Sequence, residues 1–96
     1  MSIFAMEGIY EAILELCHAF LAMEGLKTLS HECAIEFVRG RYLDEYETEF
    51  LQKLRKKRHG VKYYETSLNI ELVKTNMEKG RALFLKLKSA LEGKMR

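Results

Sequence analysis

The stretch from residue 70 to residue 91, IELVKTNMEKGRALFLKLKSAL, decides the fold class of this chain. Six apolar residues and one glycine in it are spaced alternately by three and four residues: Ile70, Val73, Met77, Gly80, Phe84, Leu87 and Leu91. Such spacing is typical of a helix whose apolar seam packs along other helices. Gly80 costs about 1 kcal/mol relative to alanine inside a helix. Either a neighbouring backbone approaches closely there, or Gly80 is a surface glycine. We predict one long helix, whose start is capped by Ser67 or Asn69.

Two helices are predicted at the start of the chain. The first runs from about residue 3 to residue 24 and ends at Gly25, since glycine is typical of helix C-termini. A short second helix is capped by Ser30 and fades near Gly40. The predicted buried positions are Ile9, Ile13, Leu16, Phe20 and Met23 in the first helix and Ala34, Ile35, Phe37 and Val38 in the second.

A third helix has the clearest start. Asp44 and Glu47 have the spacing of a capping box, with aspartate in the place of serine or threonine. Acidic residues crowd its first turns and basic residues its last turns, as the helix dipole favours. The helix is predicted to stop or unwind at Gly60. Its predicted buried positions are Leu43, Tyr46, Phe50 and Leu54.

The composition supports a single all-α domain. The 96 residues are 48% hydrophobic and 31% charged and include no proline or tryptophan, which disfavours disorder and an all-β sandwich. We predict that residues 1–96 form one four-helix up-down bundle with short connections. No apolar run is long enough to span a bilayer, and no basic region precedes the first apolar residues, so we expect no membrane association and no signal peptide. Cys17 and Cys33 are interpreted as buried thiols of a cytoplasmic protein.

Charge divides the chain into an acidic and a basic half. Residues 1–50 contain three basic and ten acidic residues, whereas residues 51–96 contain thirteen basic and four acidic ones. The basic segment, residues 53–64, contains no acid. Cations with aromatic neighbours suit a phosphate backbone and unstacked bases, so the segment is predicted to bind nucleic acid or another polyanion. The alternative is a solvated helix end. The candidate binding residues are Lys53, Arg55, Lys56, Lys57, Arg58, Lys62, Tyr63 and Tyr64.

A family resemblance centres on the same segment. The run LRKKRHGVKYYE at 54–65, preceded by YEAILELCHAFLAMEGLKTLSHECAIEFV at 10–38, resembles the HEPN domain family of small prokaryotic proteins. The resemblance covers residues 6–91. It implies an all-α bundle that forms a homodimer and binds RNA or a nucleotide. It also implies two further roles of the family, metal-independent ribonuclease and toxin paired with a minimal nucleotidyltransferase in a toxin–antitoxin system. No cofactor is implied.

The family motif is an arginine, often followed by asparagine, then a short spacer and a histidine. By resemblance, Arg58 takes the arginine position, His59 the asparagine position and Tyr63 the histidine position. In the ribonuclease mechanism the histidine acts as general base on the ribose hydroxyl, and the arginine stabilises the developing phosphorane charge. A tyrosine with a pKa of about 10 is rarely ionised at neutral pH. The departure therefore favours binding over catalysis and leaves His59 as the substitute base. A tyrosine modified with AMP in some members corresponds to Glu65 here.

The resemblance also favours self-association. In the family a helix usually precedes the one that begins near Ile9, and this chain starts after it. Ile3, Phe4 and Met6 are therefore predicted to pack against a second chain, in a homodimer whose two segments from Arg58 to Tyr63 face one cleft. Two alternatives stay open. One is a non-catalytic interaction module, such as the partner of a nucleotidyltransferase. The other is a plain helical dimer whose basic segment pairs with the acidic half of its mate.

The remaining polar candidates are interpreted as structural. His18 is expected to be packed or half-buried on the first helix, and His31 to have a capping or structural role. Glu7, Glu11 and Glu15 are expected on a solvated face, with Glu11 the best placed to supply an acid to the cleft. The histidines and cysteines lack metal-ligand spacing, so no metal site is predicted.

Overall fold

The computed structural model of the chain describes residues 3–58 and 70–95. They form four helices, which we label α1 (Ile3–Met23), α2 (His31–Val38), α3 (Glu45–Arg58) and α4 (Ile70–Lys94). Every regular element of the described residues is a helix, which confirms the predicted all-α bundle. Gly60, Ser67 and Asn69, predicted to end or begin helices, lie outside the described residues.

Local hydrogen bonds explain where α1 ends and where α2 begins. Gly25 has a φ of +74°, in the left-handed region that favours glycine, and the Leu26 amide donates to the Leu21 carbonyl at 2.9 Å. These are the features of a Schellman cap. At the start of α2, the Cys33 amide donates to Ser30 Oγ at 3.1 Å. Both predicted boundaries are confirmed.

The predicted capping box at the start of α3 is also confirmed. The Asp44 amide donates to Glu47 Oε1 at 2.9 Å, and the Glu47 amide donates to Asp44 Oδ1 at 2.8 Å. The buried Thr48 adds a hydroxyl hydrogen bond to the Asp44 carbonyl at 2.8 Å. These bonds satisfy backbone groups that a helix start leaves without intrahelical partners.

Contacts at both ends of α1 show that α4 runs parallel to it. Ile9, in the N-terminal part of α1, lies against Gly80. Glu24, just after α1, and Lys94, at the end of α4, line the same surface pocket. The two helices therefore run in the same direction along the bundle.

α2 also runs parallel to α1, so the predicted up-down order is wrong for this pair. At the start of α2, the ring centroid of His31 lies 6.4 Å from that of Tyr10. Just after α2, the ring of Tyr42 stacks on that of Phe20, with 4.0 Å between the centroids. The connection between the helices must return along α1. Its length permits this, because the five residue steps from Leu26, which bonds Leu21, to His31 reach about 17 Å when extended, and the helical rise from Leu21 back to Tyr10 is also about 17 Å.

α3 runs opposite to the other three helices. Glu49, in the first half of α3, contacts Arg39 after the end of α2 at 2.7 Å, and the later Arg55 lies 3.9 Å from Glu32 at the start of α2. The basic C-terminal end of α3 therefore lies at the same end of the bundle as the N-termini of α1, α2 and α4.

The core is built from all four helices. Its largest fully buried hydrophobic side chains are Phe20, Ile13, Ile35, Leu51, Leu87 and Val38. Gly80 is buried as well, and a Cβ added there would lie 2.8 Å from Ile9 Cγ2. A side chain of α1, rather than a neighbouring backbone, therefore explains this glycine. Met6 is only 6% exposed and belongs to the same core, so its predicted packing against a second chain is wrong.

Three other predicted burials need correction. Cys33 is exposed, because its neighbours Ala34 and Ile35 are the residues of α2 that face the core. The other cysteine, Cys17, is buried as expected, and burial raises the pKa of its thiol to about 12. Met23 is 47% exposed, since it lies in the last turn of α1 at the end of the bundle. Tyr46 is 66% exposed and lies over a groove instead of in the core.

Candidate nucleic-acid interface

The last two turns of α3 carry the described part of the basic segment. Lys53 and Lys56 are exposed, and Lys57 is half-buried. Lys53 and Lys56 make no ion pair with any residue that the structure describes. Their charges are therefore available to an external anion.

Helix ends add positive potential in the same place. The N-terminal end of a helix carries a partial positive charge from its aligned peptide dipoles. α1, α2 and α4 run parallel, so their N-terminal ends point toward the end of the bundle where α3 places its lysines, and Glu32 and Glu71 in the first turns of α2 and α4 offset part of that potential. The negative C-terminal dipole of α3 is offset by those lysines. This end of the molecule consequently suits an anionic ligand.

A groove between α3 and α4 leads away from this end. Its volume is about 200 Å³, and its floor is formed by Phe50 and Leu54. Lysines stand on both sides, with Lys53 and Lys57 from α3 and Lys79 from α4. The other lining residues are Tyr46, Glu49 and Asn76. We call this the α3–α4 groove.

Tyr46 and Lys79 form a bridge across the groove. Lys79 Nζ donates to the Tyr46 hydroxyl at 2.7 Å. The same ammonium lies 5.9 Å from the ring centroid of Phe50, within the range of cation–π attraction. The groove thus combines an exposed aromatic face with a cation beside it.

Beyond this bridge the groove continues with a different character. The continuation has a volume of about 280 Å³ and includes Asp44, Glu47, Ala82 and Leu83. Glu47 is also held by Lys86, whose Nζ lies 2.7 Å from Glu47 Oε1. Two carboxylates and one lysine line this half, whereas three lysines line the other half together with Glu49, which pairs with Arg39, so phosphate groups favour the half beside Lys53.

Arg55 faces away from the groove and packs toward α2. Its Nε donates to Gln52 Oε1 at 2.7 Å, and the nearly buried Gln52 donates to Glu36 Oε2 at 2.8 Å. Glu36 in turn pairs with Arg39 at 2.8 Å, and the hydrogen bond from Arg39 is the main cause of the lowered pKa of Glu36. Arg55 therefore belongs to a network that joins α2 to α3.

The other predicted site residues are only partly described. Arg58 is the last residue of α3, and its side chain lies outside the described part of the structure. His59, Tyr63, Glu65 and the remaining candidates at 62 and 64 lie outside the described residues. The predicted convergence of Arg58, His59 and Tyr63 stays a prediction.

Sequence reasoning missed the contributions of Tyr46, Phe50 and Lys79 to the groove. Tyr46 and Phe50 were placed in the buried stripe of α3, and Lys79 was not singled out. A signal was present, because Tyr46, Phe50, Lys53 and Lys57 are spaced by four, three and four residues and so share one helical face. The mixture of aromatic and cationic residues on one face indicates a partly open surface.

The remaining candidates show no second site. His18 is half-buried as expected, and the half-buried His31 is the first residue of α2, next to its cap. Glu15 is exposed, whereas Glu7 and Glu11 are partly buried. Over residues 3–58 and 70–95, no group of three or more potential metal ligands is found. In the same ranges, no helix is long and apolar enough to cross a membrane.

A pocket of about 540 Å³ at the opposite end of the bundle suits an anion poorly. Glu24 lines it together with both cations, the Arg41 guanidinium at 4.4 Å from the Phe37 ring centroid and Lys94 Nζ at 5.4 Å from that of Tyr42. The hydrogen bond with Tyr42 is the main cause of the raised pKa of Lys94. The C-terminal ends of α1, α2 and α4, which are negative, also lie at this end.

Over the described residues, the fold and the groove together define a bundle of four helices with a lysine-rich, aromatic groove near one end. Comparison with known proteins found no matching family model, no matching curated protein and no matching solved structure. The resemblance to the HEPN family accordingly rests on the motif residues quoted above.

Proposed function

We propose that this chain is a HEPN-like helical domain that binds RNA or a nucleotide through the basic end of α3 and the adjoining α3–α4 groove. The observation that carries the proposal is the placement of lysines around exposed aromatic surface. Lys53, Lys57 and Lys79 surround a groove floored by Phe50 and overhung by Tyr46.

Some basic residues are engaged in ion pairs within the chain. Other exposed lysines of the described residues are not, so the aromatic surface beside the α3 lysines is what distinguishes them. Arg39, Arg55 and Lys86 are committed to carboxylates within the chain. Lys53 and Lys56 have no such partner among the described residues. A helix end that needed only solubility has no requirement for unpaired lysines beside aromatic rings. Binding of phosphate groups to lysines, with release of counterions, accounts for that combination.

Cleavage of the bound RNA is the second part of the proposal and rests on the resemblance. In this mechanism Arg58 stabilises the phosphorane charge, and His59 or Tyr63 acts on the ribose hydroxyl. A homodimer that brings two basic ends to one cleft belongs to the same proposal. The alternative is a non-catalytic interaction module that partners a nucleotidyltransferase.

Binding is tested by fluorescence anisotropy with a labelled single-stranded RNA of about 12 nucleotides, a length within the usual site sizes of single-strand binders. We expect salt-sensitive binding that the double variant Lys53→Gln/Lys56→Gln weakens about fivefold or more, with a shallower salt dependence. The matched control is Lys27→Gln/Lys88→Gln, which removes two exposed lysines that do not line either half of the groove. This control is expected to bind nearly as wild type does.

Two outcomes would contradict the binding proposal. One is an equal loss in both double variants, which would show a general charge effect. The other is no binding at about 0.15 M salt, which would favour the protein-interaction alternative.

Cleavage is assayed in the same samples with EDTA present. Loss of cleavage in Arg58→Ala supports the ribonuclease part, and binding without cleavage leaves an RNA-binding domain.

A further inference from the structure

We infer that the α3–α4 groove holds one unpaired base of the bound strand, stacked on Tyr46, with its phosphate beside Lys53 and Lys57. This inference rests on the proposed function and deepens it, since it assigns a base-binding subsite to residues outside the motif. It also restricts the ligand to single-stranded nucleic acid, because bases within a duplex are already stacked on one another.

The first support is the exposure of Tyr46. Its side chain is 66% exposed although it is held by a hydrogen bond to Lys79 and lies near Phe50. An aromatic ring fixed in position and open to solvent on one face loses little conformational freedom when a base stacks on it. Aromatic side chains of this kind are the usual platforms for unstacked bases.

The second support is the position of the Lys79 ammonium. It donates one hydrogen bond to the Tyr46 hydroxyl at 2.7 Å, and an ammonium has three donors. The two remaining donors have no hydrogen-bond partner among the described residues, and Lys79 lines the groove together with Asn76. Polar groups beside an aromatic platform can contact the edge or the phosphate of a stacked base.

The third support is the charge difference between the two halves of the groove. Lys53 and Lys57 line the half toward the basic end, whereas Asp44 and Glu47 line the other half. A strand therefore gains most when its phosphates follow the lysines and its base reaches Tyr46. The lysine-lined half, of about 200 Å³, is smaller than pockets that take whole drug-sized ligands, which favours a single base.

The chain offers a direct spectroscopic test, because it contains no tryptophan. In the variant Tyr46→Trp, the only indole stands at the proposed platform and keeps an aromatic face for stacking. Titration with the single-stranded RNA is expected to quench its fluorescence, with a midpoint equal to that of the anisotropy titration. The matched control is Leu85→Trp, at a side chain of α4 that is 61% exposed and does not line the groove. Its fluorescence is expected to stay unchanged.

Affinity measurements on two further variants complete the test. Tyr46→Ala removes the platform and is expected to weaken binding about fivefold or more, whereas Tyr46→Phe keeps the ring and is expected to bind close to wild type. Circular dichroism checks that each variant retains its helix content. A duplex of the same sequence is expected not to quench the indole of Tyr46→Trp.

The results distinguish this inference from the proposed function. If RNA binds in the anisotropy assay but Tyr46→Trp is not quenched and Tyr46→Ala binds as wild type does, the subsite is wrong and the proposed function stands. If no RNA binds to the wild-type chain, both are overturned. Quenching by duplex equal to quenching by single strands would also overturn the inference.

Discussion

At Gly80, α4 crosses α1 with no room for a side chain. The residue is buried, and the nearest atom to an added Cβ is Ile9 Cγ2 at 2.8 Å, a distance that real Cβ contacts essentially never show. Ile9 is β-branched, so this methyl group moves only if χ1 rotates or the helices separate. The close packing of α1 on α4 therefore depends on the absence of a side chain at one position.

Gly80→Ala is accordingly expected to destabilise the protein by about 1–2 kcal/mol, even though alanine is the better helix former. The control is Gly8→Ala in α1, where an added Cβ meets nothing within 4 Å. That change is expected to stabilise by up to about 1 kcal/mol. Urea denaturation measures both free energies of unfolding. Combining Gly80→Ala with Ile9→Ala should reduce the cost of the glycine change, and a stabilisation by Gly80→Ala alone would contradict the packing described here.

Residue type alone does not distinguish the cations of α3 that make contacts within the chain from those that a ligand can reach. Arg55 and Lys53 both belong to the basic segment and were predicted to bind nucleic acid. Arg55 bonds Gln52 and lies 3.9 Å from Glu32, whereas Lys53 stands at the groove. The sequence shows which residues of α3 are charged. It does not show which helix each charged side chain faces, because this depends on how α2 and α4 pack around α3.

At the scale of single elements, α3 shows how much local sequence determines. Its start follows from the reciprocal hydrogen bonds of Asp44 and Glu47, both of which could be predicted from the spacing of the two residues. Gly25 and Ser30 were equally informative, since a cap depends on only a few consecutive residues. Helix ends of this kind are predictable because their hydrogen bonds are local.

Asp44→Ala is expected to lower the free energy of unfolding by about 1 kcal/mol, through loss of the side-chain acceptor for the Glu47 amide. Asp44→Asn retains an oxygen in the same position and is expected to cost only a few tenths of a kcal/mol. Denaturation in urea compares the two variants with wild type. An asparagine variant as unstable as the alanine variant would show that charge, and not the cap, stabilises the start of α3.

The direction of α2 could not be predicted by the same means. The connection of residues 24–30 has a composition compatible with either a short turn or a return along α1. What fixes the return is tertiary, namely the contact of His31 with Tyr10 and the stacking of Tyr42 on Phe20. Helical periodicity identifies which residues share a face, but not which neighbouring helix covers that face.

At the scale of the whole molecule, the parallel arrangement of α1, α2 and α4 gives the bundle an electrical polarity. Three helix N-terminal ends point in the same direction as the lysine-bearing end of α3, and the acidic first turn of α3 lies toward the opposite end. The acidic and basic halves of the sequence anticipated part of this polarity. The contribution of the helix ends could not be anticipated, because it depends on the directions of the helices.

Backbone amide chemical-shift mapping during titration with single-stranded RNA, at about 0.15 M salt, tests the central claim most directly. The account predicts that the largest shifts occur in the last two turns of α3 and around Tyr46 and Lys79. The amide shifts near Leu85 are predicted to stay unchanged. So are those of the α1–α4 face, the surface formed by Ala12, Arg81 and Phe84. Shifts concentrated on that α1–α4 face, or no shifts at saturating RNA, would contradict the assignment of the α3–α4 groove as the binding surface.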